Sequence, residues 1–125
     1  MDQNRPELVV LIVEDEALLR FATAMDFRAA GWTVLETGSG EHAVLLLGAD
    51  RHIDVLVTDI QLEGPLTGWD VADAFRAAHR DIPVIYASGN PPDAARRVEG
   101  SLFFPKPCHN GDLVDACRTL VGARA

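Results

Sequence analysis

Residues 8–13 read LVVLIV, and the acidic residues Glu14, Asp15 and Glu16 follow this apolar run directly. Six consecutive apolar residues indicate a strand of a parallel sheet that is buried on both faces. From about Ala17 the apolar residues recur at helical spacing, which predicts an amphipathic helix ending near Gly31. These residues are Leu18, Phe21, Ala22, Met25 and Ala29. The stretch is therefore a strand–helix unit whose strand ends in carboxylates.

The same alternation of strand and helix continues through the rest of the sequence. Apolar and β-branched runs predict further strands at residues 32–36, 54–58, 83–87 and 102–104. Helices are predicted at residues 39–47, 71–78, 91–98 and 110–121. Ser39 and Asn110 are suitable N-caps, Pro91 and Pro92 fit only a first helical turn, and Gly122 can end the last helix. This alternation predicts an α/β fold, a (βα)5 doubly wound parallel sheet with helices on both faces.

Length, charge and cysteine content exclude several classes of protein. With 125 residues, we expect a single domain over residues 1–125, with its core at about 8–121 and no effector domain. The net charge of −8 disfavours direct binding to nucleic acid. No apolar run reaches the ~18 residues of a membrane span, and the first residues do not resemble a secretion signal. Cys108 and Cys117 are expected to be reduced thiols, so we expect a cytoplasmic location.

Residues that can do chemistry follow four of the predicted strands. Glu14 and Asp15 follow the first strand, Asp59 the third, Ser88 closes the fourth, and Lys106 follows the fifth. The carboxyl ends of parallel strands lie at one edge of the sheet, and this edge is where such folds bind ligands. We therefore expect these side chains to form one site.

The charges of this site predict what it binds. Two like charges ~4 Å apart repel by roughly 4 kcal/mol at an effective dielectric near 20, so the carboxylates need a cation. Oxygen ligands suit Mg²⁺, and Lys106, the only lysine in the sequence, adds positive charge. A phosphoryl group would complete the charge balance, and Asp59 is a suitable nucleophile toward phosphorus. Lys106 lies between two prolines, and a cis Lys106–Pro107 bond would aim its ammonium at Asp59.

The chain resembles the receiver domain of two-component response regulators from about Leu8 to Val121. The segments that carry the resemblance are VLIVEDE, VTDIQL, PVIYASG and FFPKP, in the order and spacing of that family. The resemblance implies a flavodoxin-like fold with strand order 2-1-3-4-5, Mg²⁺ as cofactor and a role as a phosphorylation-dependent signalling switch. It implies no enzyme activity beyond self-phosphorylation from a donor and autodephosphorylation.

The resemblance also implies a role for each matching residue. Asp59 would be the phosphoacceptor. Mg²⁺ would be bound directly by Asp15, Asp59 and the backbone carbonyl of Gln61, and through water by Glu14. Ser88 and Lys106 would contact the phosphoryl group. The conformational switch would involve Ser88 and Phe103, and the lifetime of the phosphoryl group would depend on Gln61 and Asn90.

Partners follow from the same resemblance. The phosphoryl donor would be a histidine kinase or a phosphotransfer protein. The output would be contact with a downstream protein or a homodimer, through the face made by the predicted fourth helix, fifth strand and fifth helix, with no direct contact to nucleic acid or membrane. The sequence departs from the family at two places. Phe103 replaces the commoner tyrosine and lacks its hydroxyl, so a switch there would rest on packing alone. In one loop, Glu63 and Thr67 replace the usual proline and glycine. Gly68 comes nine residues after Asp59 rather than eight, so the loop carries an insertion.

Three other functions remain open at this point. A small Mg²⁺-dependent phosphatase or phosphotransferase could use Asp59 as its nucleophile, and turnover of a phosphate ester would reveal it. A flavodoxin-like cofactor carrier is disfavoured by the acidic edge. A receiver that never takes up phosphate is disfavoured because the acceptor, acidic pair, hydroxyl and lysine are all present. The GxGxxA pattern at residues 38–43 follows the second predicted strand and more plausibly shapes a turn than binds a dinucleotide.

Overall fold

The computed structural model describes residues 7–49 and 51–124, and its strands form one five-stranded parallel sheet. In chain order, the strands are β1 (Val9–Val13), β2 (Thr33–Thr37), β3 (Val55–Thr58), β4 (Val84–Ser88) and β5 (Leu102–Pro105). Their order across the sheet is β2-β1-β3-β4-β5, which confirms the predicted flavodoxin-like arrangement. The strands β1, β3 and β4 are buried along their whole length, as their apolar runs predicted. The edge strands β2 and β5 are only partly buried.

The central strands are buried by side chains on both faces of the sheet. Val10 and Ile12 of β1 belong to one core, which also contains Phe27 and Cys117. Leu11 and Val13 point to the opposite face and belong to a second core, which contains Phe75 and Tyr86. This alternation follows from the two-residue period of a strand. Cys117 is a free thiol, as expected, and burial raises its pKa to about 12.

Within the described residues, four α-helices connect or follow the strands: α1 (Ala17–Ala29), α2 (Gly40–Leu45), α3 (Gly68–Ala78) and α4 (Asn110–Arg124). A 3₁₀ turn, Leu46–Gly48, extends α2. The Ser39 hydroxyl accepts the His42 amide, so Ser39 caps α2 as predicted. Asn110 does not cap α4: it is the first helical residue, and its side-chain amide donates to Asp26 of α1. The predicted helix end at Gly122 is also wrong, since a glycine inside a helix costs only about 1 kcal/mol.

The predicted helix at residues 91–98 is absent, and the residues between β4 and β5 form turns. The Asp93 carbonyl accepts the amides three and four residues ahead, which makes a single turn. The next amide, that of Val98, donates to the Tyr86 hydroxyl on β4 rather than to a carbonyl of its own segment. The first turn of a helix is unfavourable until further turns extend it, and this tertiary hydrogen bond stops the extension.

The apolar residues that predicted α1 lie mostly on its solvent side. Leu18, Phe21 and Met25 are 82%, 58% and 52% exposed, whereas Ala24 and Phe27 are fully buried in the core. The helix therefore has apolar residues on both its core side and its solvent side. The residues whose spacing predicted the helix are mostly those of the solvent side. An exposed apolar face of this kind is typical of a surface that contacts another molecule. Across the described ranges, no helix has the length and apolar character needed to cross a membrane.

Candidate functional site

Three carboxyl groups meet at the carboxyl edge of the sheet. Glu14 and Asp15 follow β1, and Asp59 follows β3, which is the neighbour of β1. The Asp59 amide donates to the Val13 carbonyl at 2.9 Å, so the hydrogen bonding between these strands continues to Asp59. One carboxylate oxygen from each of the three residues lies within 4.8 Å of the others. The structure thus brings together the acidic residues that the sequence placed at separate strand ends.

Lys106 brings the positive charge to this cluster. Its ammonium nitrogen donates to Asp59 Oδ2 at 2.9 Å and also to Glu14 Oε1. Its backbone amide donates to the Ser88 carbonyl at 2.9 Å, which ties the end of β5 to the end of β4. The Lys106–Pro107 peptide bond is cis, as predicted. The only lysine of the sequence therefore pairs with the carboxylates that the charge argument assigned to it.

Burial and ion pairing have opposite effects on the pKa values of Glu14 and Lys106. Burial raises the pKa of Glu14 above its usual range, although the hydrogen bond from Lys106 opposes it. Burial lowers the pKa of Lys106, but its hydrogen bonds to Glu14 and Asp59 outweigh that effect and leave the pKa raised. Lys106 is therefore charged at neutral pH. One ammonium shares the site with three carboxyl groups, so a further cation would relieve the remaining repulsion.

The cluster fits a magnesium ion. Its ligand atoms are oxygens only, and they line an open cleft of ≈ 720 Å³ with room for water. The Glu63 amide donates to Asp15 Oδ2 at 3.1 Å, and the Ile60 amide donates to Asp59 Oδ1 at 2.6 Å. These bonds orient the carboxylates and leave lone pairs on their oxygens for a metal. Asp15 and Asp59 are thus held in place by backbone groups before any ion binds.

Most of the other predicted site residues also line this cleft. They are Gln61, Ser88 and Asn90. Ser88 is buried at the end of β4, where its hydroxyl oxygen accepts the Asn90 amide at 3.1 Å. Phe103 is not in the cleft: it lies half-buried on β5 and packs against the core that contains Phe75 and Tyr86. A role for Phe103 would therefore be exerted through packing, at a distance from the carboxylates.

Gly68 stands out in the sequence for its displaced position, but sequence reasoning did not find the steric role of this glycine in the site. The Gly68 amide donates to the Ile60 carbonyl at 2.7 Å, and a Cβ at position 68 would lie 1.9 Å from the Asp59 carbonyl oxygen. Only glycine allows α3 to begin this close to the Asp59 backbone. The loop before it absorbs the inserted residue through Gly64, which has a φ of 93°. Gly68 therefore occupies the close-packed position although it is displaced by one residue in sequence.

A sequence signal for this arrangement was present at the start of α3. Thr67 and Asp70 form a reciprocal capping box, in which each side chain accepts the other residue's amide. The pattern of Thr or Ser followed three residues later by an acidic residue is a signature of such a box. The box places the first helical residue at Gly68, and the tertiary structure brings this residue beside Asp59.

A model of the response regulator receiver domain matches residues 10–118. The chain belongs to this family. This receiver domain is 30% identical over 122 residues to the two-component response regulator ORR3 of Oryza sativa, covering 93% of this chain and 92% of that protein. It is 33% identical over 108 residues to the sensor kinase CckA of Brucella abortus, covering 78% of this chain but 11% of the kinase.

Solved structures show the same relationship. A response regulator receiver protein from Sinorhizobium medicae superposes with a TM-score of 0.91 at 31% identity, covering 95% of this chain and 98% of that one. The receiver domain of a sensor histidine kinase from Pseudomonas aeruginosa superposes with a TM-score of 0.80 at 21% identity, covering 94% and 99%. That structure has a magnesium ion coordinated in its active site cleft. At this identity, the likeness to it shows the fold alone.

Proposed function

We propose that this receiver domain is a phosphorylation-dependent signalling switch that accepts a phosphoryl group on Asp59 from a histidine kinase or a phosphotransfer protein. Asp15, Asp59 and the backbone carbonyl of Gln61 would hold Mg²⁺ directly, and Glu14 would hold it through water. The observation that carries the proposal is the hydrogen bond from the only lysine to Asp59, within a cluster of three carboxyl groups. Membership of the receiver family supports the same assignment.

The chemical step is a transfer between two nucleophiles. A carboxylate oxygen of Asp59 forms the bond to phosphorus, while the bond from phosphorus to the donor nitrogen breaks and its electron pair stays with the donor. Bound Mg²⁺ supplies positive charge that neutralises the phosphoryl oxygens. The Lys106 ammonium donates to one phosphoryl oxygen, and the Ser88 hydroxyl donates to another. These groups contribute mainly by positioning and charge neutralisation, because the transition state of phosphoryl transfer is loose.

Incubation with acetyl phosphate tests this function without a partner protein. We expect intact-mass spectrometry to show the gain of one phosphoryl group in the presence of Mg²⁺, and no gain when EDTA removes the metal. A protein that gains no mass with Mg²⁺ present would contradict the proposal. Repeated turnover of a phosphate ester, such as p-nitrophenyl phosphate, would instead favour the alternative of a small Mg²⁺-dependent phosphatase.

A protein donor is supported by the surface beside the cleft. The exposed apolar face of α1, described above, lies on the helix that directly follows the acidic residues, and Leu19 of this helix lines the cleft. A donor that brings a phosphorylated side chain to Asp59 must contact the elements around the cleft, and exposed apolar surface is typical of such contacts. Two-component signalling of this kind takes place in the cytoplasm, which is the location we propose.

Gln61 and Asn90 are proposed to set the lifetime of the aspartyl phosphate. Both line the cleft that contains Asp59, where attacking water must enter. Replacing both with alanine is expected to change the dephosphorylation rate by more than twofold. The substitutions remove two polar side chains that the attacking water passes on its way to phosphorus. The rate is measured as the decay of the phosphorylated mass after removal of acetyl phosphate. A rate within twofold of the wild type would rule out this role.

The output surface is proposed to consist of residues 91–100, β5 and α4. Residues 91–100 take the place of the predicted fourth helix, and they are attached to the site because Ser88 accepts the Asn90 amide. When the Ser88 hydroxyl turns to a phosphoryl oxygen, this contact changes and the segment shifts. Phe103 on β5 can then repack. Ligation moves such an equilibrium only by its differential affinity for the two states, so a partial shift is enough.

Backbone amide NMR with beryllofluoride and Mg²⁺ measures this change. We expect large shifts at residues 88–100 and 102–106, in addition to those next to Asp59, whereas α2 should change little. The surface would then be available to a downstream protein or to a second copy of the chain. Shifts confined to the cleft would contradict a switch at this surface.

A further inference from the structure

Arg20 lies on the surface helix α1, but its side chain turns back toward the acidic turn after β1. Its Nη1 donates to the Glu14 carbonyl oxygen at 2.7 Å, and its Nε donates to Glu36 Oε1 on β2 at 3.3 Å. The side chain is 24% exposed, which is low for an arginine near a helix surface. The guanidinium therefore joins α1, β2 and the turn that carries Glu14 and Asp15.

The neighbouring turn leaves space for this guanidinium. A Cβ at Gly38, between β2 and α2, would lie 2.9 Å from Arg20 Nη1 and 3.8 Å from the Asp15 Cα. Any side chain at position 38 would push the guanidinium away from its place beside the Asp15 backbone. The position of Arg20 thus has two independent supports, its hydrogen bonds and the absence of a side chain at Gly38.

The group that Arg20 binds is the peptide unit joining two of the three clustered carboxyl residues. The Glu14 carbonyl belongs to the Glu14–Asp15 peptide, so its direction determines how both side chains leave the backbone. On the other side of this turn, the Glu14 amide donates to the Thr37 carbonyl at 3.0 Å. Among the hydrogen bonds of the described residues, Arg20 makes none to the Asp15 or Asp59 carboxylate, so it acts on the backbone and not on the ligand oxygens.

We propose that Arg20 is a positioning residue of the magnesium site, which holds the Glu14–Asp15 peptide so that both carboxylates point at the ion. This inference rests on the proposed function, because it requires the cluster to bind Mg²⁺. Groups that orient metal ligands typically change metal affinity by 10–100-fold when they are removed. A purely electrostatic role predicts the opposite sign, because loss of a positive charge near the site should strengthen the binding of a cation.

Arg28 provides a matched control on the same helix. Its guanidinium donates to Glu36 Oε2 at 3.2 Å, so it shares an ion-pair partner with Arg20. Among the hydrogen bonds of the described residues, its side chain makes none to the Glu14 carbonyl. Arg20→Met and Arg28→Met each remove one positive charge and one contact to Glu36, but only the first releases the Glu14–Asp15 peptide.

The experiment is a titration of the full chain with MgCl₂, followed by the amide NMR signals of residues 14–16 and 59–61. We expect saturable binding by the wild type, a loss of affinity of about tenfold in Arg20→Met, and an affinity within twofold of the wild type in Arg28→Met. Arg20→Lys keeps the positive charge and can replace one of the two side-chain hydrogen bonds of Arg20, so it should recover part of the lost affinity. Thermal unfolding of each variant checks that the fold is intact.

Two results would overturn the inference. Equal affinities of Arg20→Met and Arg28→Met, or tighter binding by Arg20→Met, would mean that Arg20 does not position the ligands. If the wild type itself shows no saturable binding, the magnesium site of the proposed function fails, and the role of Arg20 fails with it. The wild-type titration therefore separates failure of the proposed function from failure of this inference.

Discussion

Replacing Asp59 with asparagine is expected to abolish the mass gain with acetyl phosphate and Mg²⁺. The asparagine amide is a far weaker nucleophile than a carboxylate, and it brings no negative charge to the metal. The fold should persist, because asparagine still offers a side-chain oxygen to the Ile60 amide, which donates to Asp59 Oδ1 at 2.6 Å. The substitution removes the ion pair between Asp59 and Lys106, but it also reduces the repulsion among the three carboxylates, and the two effects oppose each other.

Glu63→Gln is the matched control for this substitution. Glu63 lines the same cleft but is not one of the clustered carboxyl residues. We expect this variant to gain the phosphoryl mass as the wild type does. Peptide mapping should place the modification at Asp59 in both Glu63→Gln and the wild type. A mass gain in Asp59→Asn equal to that of the wild type would sink the assignment of the acceptor.

Gly68→Ala is expected to be strongly destabilising. The alanine Cβ would lie 1.9 Å from the Asp59 carbonyl oxygen and 2.8 Å from the Ile60 Cα, and these are backbone atoms that cannot rotate away. Relief requires α3 to move from the sheet and to break the bond from the Gly68 amide to Ile60. Overpacking of this kind costs about 3 kcal/mol or more, a large part of the ~5–15 kcal/mol that stabilises a typical domain.

Urea unfolding measures the free energy of unfolding of Gly68→Ala, with Gly111→Ala as the control variant. Gly111 lies in the first turn of α4, where a Cβ would have no neighbour within 4 Å. Alanine there should raise the unfolding free energy by up to about 1 kcal/mol, because it reduces the entropy of the unfolded chain and favours the helix. If Gly68→Ala unfolds within 0.5 kcal/mol (roughly the scatter of a surface substitution) of the wild type, the close approach of α3 to Asp59 does not hold.

The strands and the acidic cluster could be predicted from particular residues. The run from Leu8 to Val13 marks a strand buried on both faces, and the residues that follow such strands must lie at one edge of the sheet. That rule was enough to predict from the sequence that Glu14, Asp15, Asp59 and Lys106 lie together. It worked because strand burial and parallel pairing leave few alternative arrangements for the strand ends.

The helices were less predictable, because their neighbours in space decide their extent and orientation. α1 is apolar on both sides, so helical spacing alone could not tell that Ala24 and Phe27 face the core while Leu18 and Phe21 face solvent. The segment at residues 91–98 has a sequence that allows a helical turn, but the Tyr86 hydroxyl takes the Val98 amide and ends it.

The sequence by itself thus determined the parallel sheet, the strand ends that form the site and the chemistry those side chains can support. Only the tertiary structure decided which backbone atoms approach one another closely. Glycine is needed at position 68 because the Asp59 carbonyl lies so close. The hydrogen bond from Arg20 to the Glu14 carbonyl depends on the space at Gly38 and on the ion pair with Glu36. The physical reason is range: apolar runs and strand ends report local burial, whereas steric contacts and hydrogen bonds between distant segments exist only after the strands and helices have packed.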